Sequence, residues 1–207
     1  MIDCDMKRVI FATSNEGKMK EIRLLLADLD VEVLSLKEAG ISVSIVEDGE
    51  TFEENALIKV RTVGMEKEAQ GAVILADDSG LEVDYLNKAP GVYSARYMGE
   101  DTSYTIKNQA IIEQLSKAVG EERSARFVCV IAALLPDGRT LTTRATIEGQ
   151  IGYREEGSNG FGYDPILYLP EYHTTTAGLS MEEKNRISHR GKALRQMKER
   201  LMDGGVI

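Results

Sequence analysis

The sequence predicts an α/β protein whose core is a mixed β-sheet flanked by helices. The chain opens with a strand, a helix and a second strand, an order that places two parallel strands in one sheet. Farther along, residues 125–151 form two apolar strands around a Pro-Asp-Gly turn, the pattern of an antiparallel hairpin. We expect one domain over residues 1–207, in which the hairpin builds a second lobe on the sheet and leaves a cleft between the lobes.

The opening unit is defined by its apolar pattern. Residues 8–13, RVIFAT, are β-branched and aromatic and predict the first strand, and residues 31–36, VEVLSL, predict the second. Ser14 or Asn15 can cap the helix between them. The apolar face of that helix consists of Ile22, Leu25, Leu26 and Leu29.

The middle of the chain alternates in the same way. Thr51 and Glu54 form a capping box that opens a helix to about residue 69. A strand over residues 72–76 then leads to two aspartates, and residues 81–86 predict a further strand. Residues 87–99 are rich in loop formers. A helix follows over about residues 102–118, and its apolar side consists of Ile106, Ala110, Ile111, Leu115 and Val119.

The last third contains the hairpin and two capped helices. After the hairpin and a glycine-rich loop, the apolar segment ILYL predicts a short strand. Ser180 with Glu183 makes a second capping box. Ser188 caps a terminal helix, which ends at Gly204 and Gly205 and whose buried stripe consists of Ala193, Leu194, Met197 and Leu201.

Composition excludes several classes of protein. Of 207 residues, 43% are apolar and 29% are charged, which predicts a packed core rather than disorder. No apolar run approaches the roughly 20 residues that span a bilayer, so we expect no membrane association. Cys4 and Cys129 are too few for a disulfide framework, which favours a cytoplasmic protein with Cys129 as a buried apolar residue. The net charge of −9 argues against nucleic-acid binding.

The segment ILADDSGLEVDYL, residues 74–86, places two adjacent carboxylates directly after an apolar run. Adjacent carboxylates repel each other, and burying either one without a partner is costly. One interpretation is an ordinary solvated turn, because Asp, Ser and Gly all favour turns. The other is a site where positive groups compensate the acids. The sequence alone leaves both open, and it does not assign separate tasks to Asp77 and Asp78.

Three further segments bear on chemistry. TSNEGK, residues 13–18, lies where a strand meets a helix, and helix N-termini attract anions. SNGFGYDP, residues 158–165, places Phe161 between glycines, where an aromatic ring can stack on a nucleobase. EKNRISHRGKALRQ, residues 183–196, is a local basic cluster. Taken singly, each also fits a structural explanation: a capped helix, a glycine-rich turn with its aromatics in the core, and a solvated helix face.

Together, four motifs resemble the inosine triphosphate pyrophosphatase family of noncanonical purine NTP pyrophosphatases, in its bacterial branch. They are FATSNEGKMKEI, ADDSGLEVDYLNKAPGVYSARY, GFGYDPIL and EEKNRISHRGKAL, and the match runs from about Lys7 to about Met202. The resemblance implies an elongated, two-lobed α/β protein with a long twisted mixed sheet, and a homodimer. It also implies a Mg²⁺-dependent enzyme that cleaves ITP, dITP and XTP into the monophosphate and pyrophosphate, clearing the nucleotide pool of deaminated purines.

The resemblance also implies roles for individual residues. Asp78 would be the general base and a metal ligand, and Glu47 would be the second metal carboxylate, with Val46 or Asp48 as alternatives for that place. The purine nucleoside triphosphate would be bound by Thr13, Ser14, Asn15, Glu16, Gly17, Lys18, Lys59, Ser79, Phe161, Gly162, Tyr163, Asp164, Lys184, His189 and Arg190. Among these, Phe161 would stack on the base.

Base selection has a physical basis. Hypoxanthine and xanthine present a carbonyl acceptor at C6, whereas adenine presents an amino donor. A guanidinium has donors only, so Arg190 would satisfy the carbonyl and reject the amino group. Two other interpretations stay open: a pyrophosphatase for other modified nucleotides, and a nucleotide-binding protein without catalysis, for which loss of the two aspartates would be the expected sign.

Overall fold

The computed structural model describes residues 6–207. Within this range the strands are β1 (Lys7–Phe11), β2 (Val31–Ser35), β3 (Val73–Val83), β4 (Ser124–Leu134), β5 (Thr140–Ile151), β6 (Leu167–Leu169) and β7 (Thr174–Thr175). The helices are α1 (Glu16–Leu26), α2 (Phe52–Gly64), α3 (Tyr104–Gln114), α4 (Met181–Ile187) and α5 (His189–Asp203). No helix in this part of the chain is long and apolar enough to cross a membrane.

The seven described strands form one mixed sheet in the order β2-β1-β3-β4-β5-β6-β7. β1 pairs in parallel with both β2 and β3, as the β-α-β opening predicts. β5, β6 and β7 pair in antiparallel fashion. β4 and β5 are neighbours joined by the predicted turn, in which Gly138 has a φ of +85° that glycine adopts without strain. The predicted α/β class and mixed sheet are therefore confirmed.

The chain divides into two compact units that share the long strands. The first unit comprises the described chain up to Asp78, together with Cys129–Arg144 and Arg190–Ile207. Its buried apolar residues include Val9, Ile22, Val60, Ile131 and Leu194. The second unit comprises Ser79–Val128 and Ala145–His189. Its core is one cluster that includes Leu81, Ile111, Phe127, Ile151 and Ile166.

The helix caps follow the predicted local rules. Asn15, rather than Ser14, caps α1, because its side-chain oxygen accepts from the backbone N–H of Lys18 at 3.1 Å. Thr51 with Glu54 and Ser180 with Glu183 both form complete capping boxes. Two helices, α2 and α3, are shorter than the patterns suggested. α2 ends at Gly64, and Ile106 and Val119, predicted on the buried side of the third helix, are mostly exposed.

One strand prediction was wrong. Residues 73–83 form a single strand, so Asp77 and Asp78 lie in its middle rather than at its end. The predicted separate strand over residues 81–86 is instead the end of β3 followed by a short 3₁₀ turn, Asp84–Leu86. Asp, Ser and Gly favour turns locally. Here tertiary contacts override that preference, because both carboxylates find buried cationic partners and Leu81 and Val83 are fully buried on the continuing strand.

Candidate active site

The two aspartates of β3 are buried, with 2% of Asp77 and 8% of Asp78 exposed. Successive side chains of a strand point to opposite faces of the sheet. Asp77 accordingly meets residues of α1 and α5, whereas Asp78 meets residues of α2. The strand therefore separates two carboxylates that are adjacent in sequence and provides each with its own partners.

Asp77 is held between two cations. Lys18 Nζ lies 2.8 Å from one carboxylate oxygen, and Arg190 Nε donates to that oxygen at 3.3 Å. Arg190 also donates to Glu21 of α1 at 2.6 Å. Burial by itself opposes ionisation, but the charges of Lys18 and Arg190 outweigh it and hold the pKa of Asp77 well below its usual value. Asp77 is therefore ionised at neutral pH, and its carboxylate orients Lys18 and Arg190.

Asp78 has a different electrostatic environment. Its carboxylate accepts from Lys59 Nζ at 2.9 Å and from Asn55 Nδ2 at 3.3 Å. Burial raises the pKa of Asp78 above its usual value; Lys59 opposes this effect, and the charges of Glu47 and Asp77 add to it. A carboxylate of this kind binds a proton more readily than an exposed aspartate does. Asp78 is thus suited to accept a proton from water.

Lys59 bridges two carboxylates of the first unit, those of Glu47 and Asp78. Its ammonium group lies 2.8 Å from Glu47 Oε2 and donates to Asp78 and, at 3.0 Å, to the backbone carbonyl of Asp77. Three protein oxygens therefore engage the three N–H groups of Lys59. The phosphate contact that the sequence predicted for Lys59 would require one of these oxygens to be exchanged for phosphate. Burial opposes its charge, yet Asp78, Asp77 and Glu47 raise the pKa of Lys59 above its usual value.

The same contacts distinguish between the acids at positions 47 and 48. In the loop before α2, Glu47 is partly buried and faces Lys59, whereas Val46 and Asp48 are exposed. Among residues 6–207, no three His, Cys, Asp or Glu side chains form a cluster that could hold a metal by itself. Glu47 and Asp78 are nevertheless two carboxylates that face one cation. Mg²⁺ requires no more than one or two carboxylates when water and phosphate oxygens complete its shell, so this donor set fits magnesium.

The segment Thr13–Lys18 forms the start of α1 as predicted. Thr13 Oγ1 accepts from the backbone N–H of Asn15 at 3.1 Å, which shapes the turn into the helix. Ser14, Asn15, Glu16 and Gly17 are exposed. The first backbone N–H groups of a helix have no partner within the helix, so this end can bind an anion. Lys18 brings a positive charge to the same turn.

In the second unit, the glycine-rich loop has an exposed aromatic ring, Phe161, followed by buried residues that anchor the loop to the protein. Phe161 is 42% exposed, whereas Tyr163 and Asp164 are 5% and 3% exposed. Tyr163 donates to the carbonyl of Ser94 at 2.7 Å, and Asp164 accepts from Lys184 Nζ at 2.7 Å. The ammonium of Lys184 also lies 5.0 Å from the centre of the Phe161 ring. Of the predicted loop residues, Phe161 and Gly162 present the accessible surface, while Tyr163 and Asp164 anchor the loop.

The basic cluster predicted near residues 183–196 is largely neutralised inside the protein. Lys184 pairs with Asp164, and Arg190 pairs with Asp77 and Glu21, with both cations less than one-tenth exposed. His189 is 7% exposed and its ring lies 5.0 Å from that of Phe127. The interpretation of a solvated basic face was therefore wrong for Lys184, His189 and Arg190.

Ser79, the next residue of β3 after the aspartates, is partly buried.

Sequence reasoning missed two residues that support the aspartates. Asn55 is fully buried and bridges the backbone N–H of Gly49 to Asp78. Glu21, 7% exposed, holds Arg190. Both lie on the buried faces of amphipathic helices, Asn55 beside Ala56 and Glu21 beside Ile22. A polar residue on such a face requires a buried partner, and that requirement was the available signal.

The fold and these contacts define an α/β protein with a buried carboxylate pair beside a helix N-terminus and an exposed aromatic ring on a glycine-rich loop. The chain belongs to the Ham1 family, whose model matches residues 9–200. It is 45% identical over 199 residues to a dITP/XTP pyrophosphatase of Clostridium perfringens, which covers 95% of this chain and 98% of that protein. This family membership confirms the resemblance inferred from the four motifs.

Solved structures agree with the sequence comparison. A HAM1 protein from Coxiella burnetii matches with a TM-score of 0.86 and 41% identity, covering 96% of this chain and 100% of that one. The Ham1 protein of Staphylococcus aureus matches with a TM-score of 0.85 and 38% identity over 96% of this chain and 100% of that one.

Proposed function

We propose that this protein hydrolyses noncanonical purine nucleoside triphosphates, such as ITP, dITP and XTP, to the monophosphate and pyrophosphate. The observation that carries the proposal is the environment of Asp78, a buried carboxylate with a raised pKa that shares a cation with Glu47. Relatives named dITP/XTP pyrophosphatase, at 45% and 46% identity, support the substrate class. The role is removal of deaminated purines from the nucleotide pool.

In this proposal Asp78 is the general base. Its carboxylate orients a water molecule and takes a proton from it as the water oxygen attacks the α-phosphorus. The bond from the α-phosphorus to the bridging oxygen then breaks, and pyrophosphate leaves. The raised pKa brings the basicity of Asp78 closer to that required near neutral pH. Lys59 keeps the carboxylate in place and offsets part of its burial cost.

Glu47 and Asp78 would hold Mg²⁺, which supplies charge neutralisation to the phosphate oxygens when bound. The donor set supports this assignment, because both carboxylates face the ammonium of Lys59. A magnesium titration of activity tests it. We expect Glu47→Gln to raise the half-saturating concentration by about tenfold or more, and Asp48→Asn, at an exposed position, to leave it unchanged.

The remaining residues would bind the substrate. We assign the triphosphate to the start of α1, from Thr13 to Lys18, where an exposed helix N-terminus and the Lys18 charge favour anions. Phe161 would stack on the purine, beside Gly162, with Ser79, Lys184 and His189 contributing further contacts. Arg190 would donate to the C6 carbonyl, in addition to its ion pairs with Asp77 and Glu21.

Homodimerisation and a cytoplasmic location belong to the same proposal. The dimer follows from the family resemblance, and the location follows from the presence of only two cysteines. Sedimentation equilibrium tests the dimer, which has twice the 22.8 kDa mass of the chain. A mass of one chain at micromolar concentration would contradict the dimer.

A substrate panel decides the proposed activity. Steady-state hydrolysis of ITP, XTP, dGTP and ATP is measured with and without Mg²⁺, with separate assays for pyrophosphate and orthophosphate. We expect pyrophosphate from ITP and XTP, a much lower kcat/KM for ATP, and no turnover without the metal. Orthophosphate as the product, or equal turnover of ATP and ITP, would contradict the proposal. Binding of ITP without turnover would indicate a nucleotide-binding protein.

A further inference from the structure

One face of α3 supports the glycine-rich loop of the second unit. Tyr104, Lys107 and Asn108 are spaced i, i+3 and i+4, so they share a face of the helix. Lys107 and Asn108 are each only 1% exposed, although both are polar. Lys107 Nζ donates to the carbonyl of Ala95 at 2.6 Å and lies 5.0 Å from the centre of the Tyr104 ring. The helix therefore carries polar groups into the interior of this unit.

Asn108 links this helix to two points of the loop region. Its Nδ2 donates to Glu155 Oε1 at 2.6 Å and to the carbonyl of Gly162 at 3.2 Å. Its Oδ1 is buried and has no hydrogen-bond partner among the described residues. A buried acceptor without a partner destabilises the fold. The two hydrogen bonds donated by Nδ2 offset this cost.

Gly162 also lies close to a second side chain of α3, Tyr104. Its φ is +69°, a conformation that favours glycine, and a Cβ added there would lie 3.5 Å from Tyr104 Cε1. The Tyr104 ring makes an edge-to-face contact with Tyr163, with centroids 5.2 Å apart. Gly162, the residue after Phe161, is therefore bound through its carbonyl by Asn108 and lies close to the Tyr104 ring.

We propose that Asn108 is a positioning residue for the purine-binding loop: by donating to the Gly162 carbonyl, it fixes the orientation in which Phe161 meets the base. This inference rests on the proposed function, because that function assigns the base to Phe161. Asn108 acts through the loop. Loss of its bond to Gly162 therefore weakens substrate binding more than the chemical step, which takes place at Asp78.

Three variants separate this role from simple stabilisation. Asn108→Asp keeps the shape but removes the donor, and its carboxylate faces two acceptors. Asn108→Asp with Glu155→Gln restores a bond between positions 108 and 155 with donor and acceptor exchanged, but leaves Gly162 without a donor. Gln109→Glu is the matched control at the next position of α3: it also replaces a donated bond, to Glu113, by repulsion between carboxylates, but at an exposed site.

We expect Asn108→Asp to lower Tm and to raise the KM for ITP by about tenfold, with kcat changed less than about threefold; a loss of this size is typical for a hydrogen bond replaced by repulsion. The double variant should recover Tm while keeping the high KM, and the control should match wild type in KM. Joint recovery of Tm and KM in the double variant would overturn the proposal, since Asn108 would then be merely structural. An unchanged KM in Asn108→Asp would overturn it too.

A second measurement needs no catalysis. The chain has no tryptophan, so Phe161→Trp introduces a single reporter into the loop. In this Phe161→Trp background we add Asn108→Leu, which keeps the packing and removes the unpartnered acceptor. We expect it to lower the fluorescence anisotropy of the Trp at position 161 in the absence of nucleotide. Unchanged anisotropy in a folded variant would refute the positioning role. If wild-type protein fails to hydrolyse ITP, the proposed function fails, whereas the anisotropy still decides whether Asn108 holds the loop.

Discussion

At the scale of single residues, Asp77 and Asp78 differ in chemistry because they face opposite sides of one strand. Asp77 meets two cations, which keep it ionised, whereas Asp78 is buried with a cation that it shares with Glu47. The pKa values of the two aspartates move apart from a common starting value. Pairs of titratable groups separated in this way mark candidate acid–base sites.

Replacing Asp78 should separate activity from stability. We expect Asp78→Asn to lower kcat for ITP by at least about 10²-fold, because the general base is lost, while ITP still binds in calorimetry. Burial of ionised Asp78 costs free energy, so the neutral amide should leave the free energy of unfolding unchanged or higher. Asp48→Asn, at an exposed position, is the control for both measurements. Retained turnover in Asp78→Asn would exclude it as the base.

Replacing Asp77 should affect stability in a pH-dependent way. Its folded pKa is lower than its unfolded pKa of about 3.8, so its ionised form stabilises the fold at all pH values above about 4. This stabilisation is lost as the pH falls through the lower, folded value. We expect Asp77→Asn to cost about 3 kcal/mol at pH 7, with a difference from wild type that shrinks below pH 4. Urea unfolding between pH 3 and 8 measures this, and a constant difference over that range would contradict it.

At the scale of secondary structure elements, the glycine-rich loop depends on a glycine that sits against an ion pair. Gly160 has a φ of +77°, and a Cβ there would lie 2.2 Å from Asp164 Oδ2 and 3.1 Å from Lys184 Nζ. Position 160 therefore requires glycine for two reasons: its backbone has a positive φ, and a Cβ would clash with the ion pair. The ion pair of Asp164 and Lys184 also supports Phe161, because Asp164 accepts from the backbone N–H of Phe161.

Two glycine variants distinguish these requirements. Gly138 in the β4–β5 turn has a φ of +85° but nothing within 4 Å of an added Cβ, so Gly138→Ala meets backbone strain alone, about 1–2 kcal/mol. We expect Gly160→Ala to cost roughly 1–3 kcal/mol more, because the clash adds to the strain, and to raise the KM for ITP. Chemical denaturation of both variants measures the difference. Equal losses of unfolding free energy in the two variants would contradict this, because the ion pair would then move aside without destabilising the fold.

At the scale of the whole molecule, the protein keeps a net charge of −9 while its site residues carry most of the buried cations. Lys18, Lys59, Lys184 and Arg190 each pair with a carboxylate of their own unit. The global charge therefore disfavours nucleic acid, and the local pairs orient the groups assigned to a small anionic substrate. The central strand β4 is almost wholly buried across both units.

Cys129 in β4 reports on the integrity of this sheet. It is fully buried, and burial raises the pKa of its thiol to about 12. At pH 8 only about one thiol in 10⁴ would be ionised, and only the thiolate reacts. In a Cys4→Ser background, we expect DTNB to modify Cys129 no faster than the protein unfolds, as measured by circular dichroism. Complete reaction within minutes under native conditions would contradict this burial, and Cys4→Ser/Cys129→Ala gives the background signal.

Much of the fold and many of the side chains that meet around Asp77 and Asp78 could be named from the sequence, and the exceptions have a common cause. Apolar periodicity placed most strands and helices, and the capping boxes placed the starts of α2 and α4, because these signals depend on residues within a few positions of one another. The error at β3 arose where distant partners outweigh local preference, and distant partners also bury the cations Lys184 and Arg190 of the basic cluster. Asp77 meets Lys18 across 59 positions and Arg190 across 113.

The sequence by itself determined the α/β class, the mixed sheet, the family and the set of residues able to do chemistry, because periodicity, caps and motif order are written in neighbouring residues. Only the tertiary structure decided which partners those residues have. It gave Asp77 and Asp78 separate environments, selected Glu47 over Asp48 as the partner of Lys59, and placed Asn108 beneath Gly162. A pKa and a hydrogen bond depend on distance in space, which the packing of the folded chain alone establishes.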